Sequence, residues 1–214
     1  MQKFLLSLLC FTFTMLSAFS ASAAPNFWHH PDYNLSKATN IIITDFQNTS
    51  ESSNNFISKG NIKETVISAV YAAAAKENML VTEDYNARTY SEPVLQTKSK
   101  KIPSELELQI TVNKLGYTKR VVAAHYEEKT EYIKIKEDTK NNRDIEIPVQ
   151  HKVYVPEVTY YTSYLEINYN VYDAKTHTLI FNSRDYRSRG DTFDPSGMLE
   201  RSTKDFIKNI KKSK

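Results

Sequence analysis

Apolar and polar side chains alternate most regularly over residues 164–187. There Leu165, Ile167, Tyr169 and Val171 interleave with Glu166, Asn168, Asn170 and Tyr172. Side chains on a strand point alternately to its two faces, so this is a strand with one face on a core. Asp173-Ala174-Lys175-Thr176 follows, and an Asp there accepts from the backbone two residues on. Leu179-Ile180-Phe181 then resumes the apolar run, so the segment predicts a β-hairpin with a loop of roughly four to six residues.

Upstream, residues 40–46 (NIIITDF) form a short apolar run, which fits a strand buried on both faces. Asn61 and Glu64 make an N-x-x-E variant of the capping box and open a helix. Ile62, Val66, Val70 and Ala73 recur on its inner face, widened by Ile67 and Ala74. With a short strand at 79–82, residues 40–82 read as a β-α-β unit with parallel strands and a right-handed crossover. Residues 83–103 show no periodicity and read as a long loop.

From residue 104 the pattern is that of an antiparallel sheet. Leu106, Leu108, Ile110 and Val112 alternate with polar neighbours, and 119–126 and 130–136 read as further strands, followed by a charged turn at 138–144. Residues 145–149 and 153–161 are rich in β-formers but contain Pro148 and Pro156, which places them at an edge or in an excursion from the main sheet. A last helix is expected with Asp194 as cap, Pro195 first, and Leu199, Thr203, Phe206 and Ile210 inside; the lysines at its end complement its dipole. The expected class is α+β (mixed α/β), a mixed parallel and antiparallel sheet covered by two helices. It occupies 40–214 as one domain with a β excursion at about 127–161, after an extended lead-in over 24–39.

The chain begins with Lys3, an uncharged apolar stretch over 4–19 and Ala21-Ser22-Ala23, the signature of a secretory signal peptide cut after Ala23. This predicts an exported protein, periplasmic or extracellular, soluble or peripherally attached to the envelope, with no transmembrane segment after cleavage. The one cysteine, Cys10, lies in the apolar stretch behind Leu9, so it is not a lipid-attachment site, and the mature part has neither disulfides nor a thiolate metal site. A net charge of +3 argues against a nucleic-acid binder.

Catalytic chemistry finds little support. There is no G-x-S-x-G elbow, H-E-x-x-H helix or phosphate-cradling glycine loop, and the chain holds only four glycines. Asp45 and Asp173 are the dispersed acids that would form a general acid–base pair if they met in space. His29, His30 and Asp32 lie close in sequence, but neighbours on an extended segment point to opposite sides, so no metal is expected there. The expectation is a non-enzyme without cofactor. Tyrosines crowd the β region, and Tyr154, Tyr160, Tyr161 and Tyr164 are the candidate partner-binding residues, since tyrosine offers a rigid ring with a polar tip. Cross-strand tyrosine pairs also stabilise sheets with no partner at all.

Residues 41–46, 106–112, the V-Y-D-A-K-T-x-x-L-I-F segment over 171–181 and the closing 206–212 together resemble the small exported α/β domains typified by the TolB amino-terminal domain and the CsgG-like envelope lipoproteins. The lipid-attachment cysteine common in that group is missing, and His177-Thr178 replace a glycine-containing turn. The resemblance implies an envelope protein that binds other proteins or assembles, without catalysis. The expected function is therefore a protein-binding or assembly accessory domain with an envelope protein as partner, and a homo-oligomer is compatible with it. The alternative is a periplasmic small-ligand or glycan-binding domain, and behind that a hydrolase with a dispersed carboxylate site.

Overall fold

A computed structural model of the chain describes residues 26–50, 56–58, 60–86, 101–103, 105–136 and 144–214. The stretch expected to be a signal peptide, most of the loop expected over 83–103 and most of the turn expected over 138–144 lie outside the described residues. In chain order the strands are β1 (Asn26–His29), β2 (Asn40–Asn48), β3 (Phe56–Ser58), β4 (Leu80–Glu83), β5 (Glu105–Val122), β6 (His125–Lys136), β7 (Asp144–Val155), β8 (Val158–Asp173) and β9 (Leu179–Gly190). The helices are α1 (Ile62–Lys76) and α2 (Ser196–Lys212), with a 3-10 turn at Leu35–Lys37. Two compact units result: one comprises the chain up to Thr118 together with Tyr161–Lys214, the other Lys119–Tyr160.

The α+β class expected from the sequence is corrected by this inventory. Strand takes 56% of the described residues and helix 22%, so the chain is β-rich. The cause is continuity where breaks were expected. β5 runs on for 18 residues, β7 runs unbroken through the gap expected at 150–152, and β8 holds 16 residues. The polar segment after residue 187 extends β9 to Gly190.

In the first unit, seven strands form one sheet in the order β1-β9-β8-β5-β2-β4, with β3 alongside β5. β2 is parallel to both β4 and β5, while β9 pairs antiparallel with β8 and with β1. Every residue of the helical stripe read from the sequence is buried in α1, and Asn61 Oδ1 accepts the Glu64 amide at 3.3 Å. In α2 the helix begins one residue later than expected, but Asp194 Oδ1 still takes the Ser196 amide at 3.1 Å, and Leu199, Thr203, Phe206 and Ile210 are all buried. The two helices share one core with Leu106, Leu108, Ile110 and Val112 of β5 and Leu165, Ile167, Tyr169 and Val171 of β8. The Tyr169 and Phe206 rings stack there, 4.2 Å between centroids and 9° apart.

The lead-in is tied into this unit. β1 adds to β9, Phe27 stacks on Phe181 at 5.7 Å, and Tyr33, Leu35 and Ala38 are buried. The amides of Leu35 and Ser36 donate to the Ser213 carbonyl, and Lys211 Nζ donates to the Ala38 carbonyl at 2.7 Å, which closes the lead-in against the end of α2.

Candidate functional site

The second unit is a two-stranded antiparallel ribbon. β6 and β7 pair without interruption from His125↔Val155 to Lys136↔Asp144. Pro148, opposite Tyr132, is accommodated because each strand of a two-stranded ribbon has one unpaired edge, where a missing amide costs nothing. Among the described side chains of residues 119–160 none is buried. Tyr126, Tyr132 and Tyr154 are each more than half exposed, as is Ile135 by half, and Ile133, Ile147 and Val149 stand well out of any core.

The four tyrosines singled out by sequence do not form one patch. Tyr154 sits on the ribbon, 5.4 Å from the ring of its cross-strand partner Tyr126 in edge-on contact. Tyr160 is exposed on β8. Tyr161 belongs to the first unit, where it meets Tyr117 at 5.9 Å and Phe193 at 5.9 Å in edge-on geometry. Tyr164 is half-buried and stands opposite Ser188 of β9. Sequence reasoning missed Tyr126, and it missed the aliphatic residues of the ribbon. The signal for both lies in the pairing register, which the alternation within 130–136 and 145–149 fixes only once the two segments are aligned.

The two candidate acids do different local work. Asp45 is level with Gln109 on β5 and accepts from Gln47 Nε2 at 2.9 Å. Asp173 lies at the other end of the same stretch, where the Ala174 amide donates to the Glu105 carbonyl. Its carboxylate accepts from Tyr33 OH at 3.3 Å, from Thr176 Oγ1 at 3.0 Å and from the Lys175 amide at 3.2 Å. These contacts make Asp173 the organiser of the β8–β9 turn, and the structure does not bring the two acids to a common point.

An imidazole and a carboxylate do meet in that turn. His177 adopts a left-handed backbone conformation (φ 51°), its ring stacks on Tyr172 at 4.6 Å, and Nδ1 lies 3.0 Å from Oε2 of Glu107. Glu107 occupies a polar position of the alternating β5 pattern yet is fully buried. The buried carboxylate ties the turn to the sheet, while the His177 side chain stays 35% exposed. In the outer part of the first unit, burial first, then the hydrogen bond and charge of Glu83, raise the Tyr85 hydroxyl, which donates to Glu83 at 2.8 Å under the Lys63 ammonium.

His30 Nδ1 approaches Asp32 Oδ2 only at 4.0 Å, and among the described residues no group of three or more His, Cys, Asp or Glu is arranged to hold a metal ion. A groove of about 470 Å³ between α1 and α2 is lined by small side chains such as Ala69, Ala72 and Thr203, with Lys76 and Lys204 and a single acid, Glu200. Arg201 and the hydroxyls of Ser68 and Ser196 complete a lining in which three cations outnumber the one acid. Among the described residues no helix is long and apolar enough to cross a membrane.

No protein-family profile matches the chain, and no curated protein does. Among solved structures the chain is similar to the PelC dodecamer from Paraburkholderia phytofirmans, at 8% identity and a TM-score of 0.44. A point variant of that dodecamer gives 6% and 0.46, and each covers 88% of this chain and 96% of that one. A PDZ domain protein from Parabacteroides distasonis is similar at 8% identity and a TM-score of 0.29, over 90% of this chain and 37% of that one. Likeness at these scores settles neither fold nor function.

Proposed function

We propose that the chain is an exported, non-catalytic envelope protein that works by binding other proteins, with the β6–β7 ribbon as its contact surface. The observation behind this reading is a ribbon of 12-residue strands in which no described side chain is buried. An isolated two-stranded hairpin is at best marginally stable in water, and exposed apolar side chains in a contiguous patch mark an interaction surface. Exposed tyrosines are well suited to such a surface, because a large ring is buried at the cost of few rotatable bonds. The resemblance of the core segments to the TolB amino-terminal and CsgG-like envelope domains supports the same reading.

The test is capture of envelope proteins on the immobilised chain, compared with a variant carrying Tyr126→Ser, Tyr154→Ser and Tyr160→Ser. These rings are exposed, so the core is expected to melt as in the parent. Recovery of specific partners is expected to fall at least about tenfold, the effect of losing hot-spot tyrosines. Unchanged recovery counts against the ribbon as the contact surface.

A further inference from the structure

Residues directly opposite in an antiparallel pair share a face, so the register sorts the ribbon into two unlike sides. One side supplies its own partners. Tyr126 meets Tyr154 edge-on, Glu128 stands opposite Lys152, and Lys134 Nζ lies 3.5 Å from Glu146 Oε1. The other side is aliphatic along β7, where Ile147, Val149, Val153 and Val155 are interrupted only by His151. On β6 the same side carries Ile133 and Ile135 towards the Lys136 end, and Glu131, Lys129, Glu127 and His125 towards the other, where His125 Nε2 lies 3.3 Å from Glu127 Oε1.

We propose that this aliphatic side is where two copies of the chain meet, ribbon on ribbon, with their Lys136 ends pointing the same way. The inference rests on the ribbon being a contact surface and names what covers one side of it. A two-fold axis running along the ribbon lays β6 of one copy over β7 of the other. Ile133 then faces Ile147, Glu131 faces Val149, Glu127 faces Val153 and Lys129 faces His151. No carboxylate is set against another. Turning one ribbon end for end instead lays β6 over β6 and brings Ile133 onto the acid-bearing half, so the isoleucine cluster loses its apolar partner.

A lipid surface fits this side poorly. Glu127, Lys129 and Glu131 would enter the hydrocarbon with the valines, and a lysine at mid-depth on the lipid face of a strand costs about 2–4 kcal/mol. Between two protein ribbons the same three charges, alternating in sign, stay at the margin within reach of one another and of water.

The area sets the strength. Strands of 12 residues give a ribbon roughly 40 Å long and about 10 Å wide. One face therefore contributes on the order of 400 Å² per copy, below the roughly 800 Å² per partner of a stable interface. The association is reversible and concentration-dependent.

Sedimentation analysis of the full exported chain over about 10 μM to 1 mM, the range in which weak contacts saturate, is the test. The parent is expected to rise from monomer mass towards twice that value. A variant with Ile133→Lys and Ile147→Lys is expected to stay at monomer mass throughout, and the Tyr126→Ser, Tyr154→Ser variant to associate like the parent. For orientation, equimolar Ile133→Cys and Ile147→Cys chains are mixed under oxidation, and the mixed disulfide dimer is expected to exceed either homodimer. These substitutions are mild, so this arm holds even if the lysines disturb the ribbon. A parent that is monomeric over the whole range, a lysine variant that associates undiminished, or binding of the parent to phosphatidylcholine vesicles that the lysine variant loses would each overturn the proposal. A monomeric parent that still captures envelope proteins through Tyr126 and Tyr154 removes this inference and leaves the binding function standing.

Discussion

Phe206→Ala is expected to lower the stability of the first unit by about 3–5 kcal/mol, the usual cost of emptying a buried phenylalanine site. Phe206 is 1% exposed, stacks on Tyr169 at 4.2 Å and stands 5.9 Å from the ring of Phe181. It therefore joins α2 to β8 and β9 at once, and neither sheet strand can shift to fill the space without breaking its ladder. In a chain of this size about 1 kcal/mol moves the melting temperature by roughly 2–4 °C, so a fall of roughly 6–20 °C is expected in a thermal scan. A shift of less than about 2 °C would mean that α2 does not seal the core through this ring.

Arg187→Ala is expected to cost a similar amount for a different reason. Arg187 Nε reaches both carboxylate oxygens of Asp185, at 3.0 and 2.9 Å, and Nη2 bridges on to Asp205 of α2 at 2.8 Å. Burial alone would lower the guanidinium pKa, but the hydrogen bonds and charges of Asp185 and Asp205 more than reverse this and leave it raised. Asp185 is almost fully buried, so removing the arginine strands a carboxylate in the core at about 3–5 kcal/mol. Asp205 is 43% exposed and water takes over its half of the bridge, which confines the loss to the Asp185 side. The double variant Arg187→Met, Asp185→Leu is expected to recover most of the stability, because it removes the stranded charge. Denaturant unfolding of the single and double variants distinguishes this from simple loss of packing, which would make the double variant the weaker of the two.

Much of the first unit was legible because its elements bury one clean stripe. The six apolar residues of α1 and the alternating positions of β8 are all in the core, as periodicity alone predicts. Asn61 and Asp194 each accept a helix-opening amide, as short polar side chains at those positions do. What the sequence concealed depends on residues far apart in the chain. Glu107 reads as a solvent-facing residue of an amphipathic strand, and only the turn carrying His177, 70 residues on, explains its burial. Asp185, Arg187 and Asp205 read as solvent-facing charges until α2 brings Asp205 within 2.8 Å of Arg187 on β9. The strand content is higher than expected because 145–149 and 153–161 read as separate short strands, whereas pairing with β6 carries β7 unbroken from Asp144 to Val155.

The ribbon is where fold and proposed function join. Its tyrosine side and its aliphatic side were both present in the sequence as short alternating runs, yet their separation onto two faces follows only from the pairing of His125 with Val155. The candidate tyrosines divide accordingly: Tyr154 stands on the ribbon, while Tyr161 packs with Tyr117 and Phe193 as part of the first unit. Tyr164 contributes to the β8–β9 ladder.

The most direct test places a photoreactive residue at position 154 on the ribbon or at position 71 on the exposed face of α1, and irradiates cells expressing the full chain. An interaction domain that works through its ribbon gives protein adducts from position 154 and few or none from position 71. Adducts from position 71 with none from position 154 would contradict it.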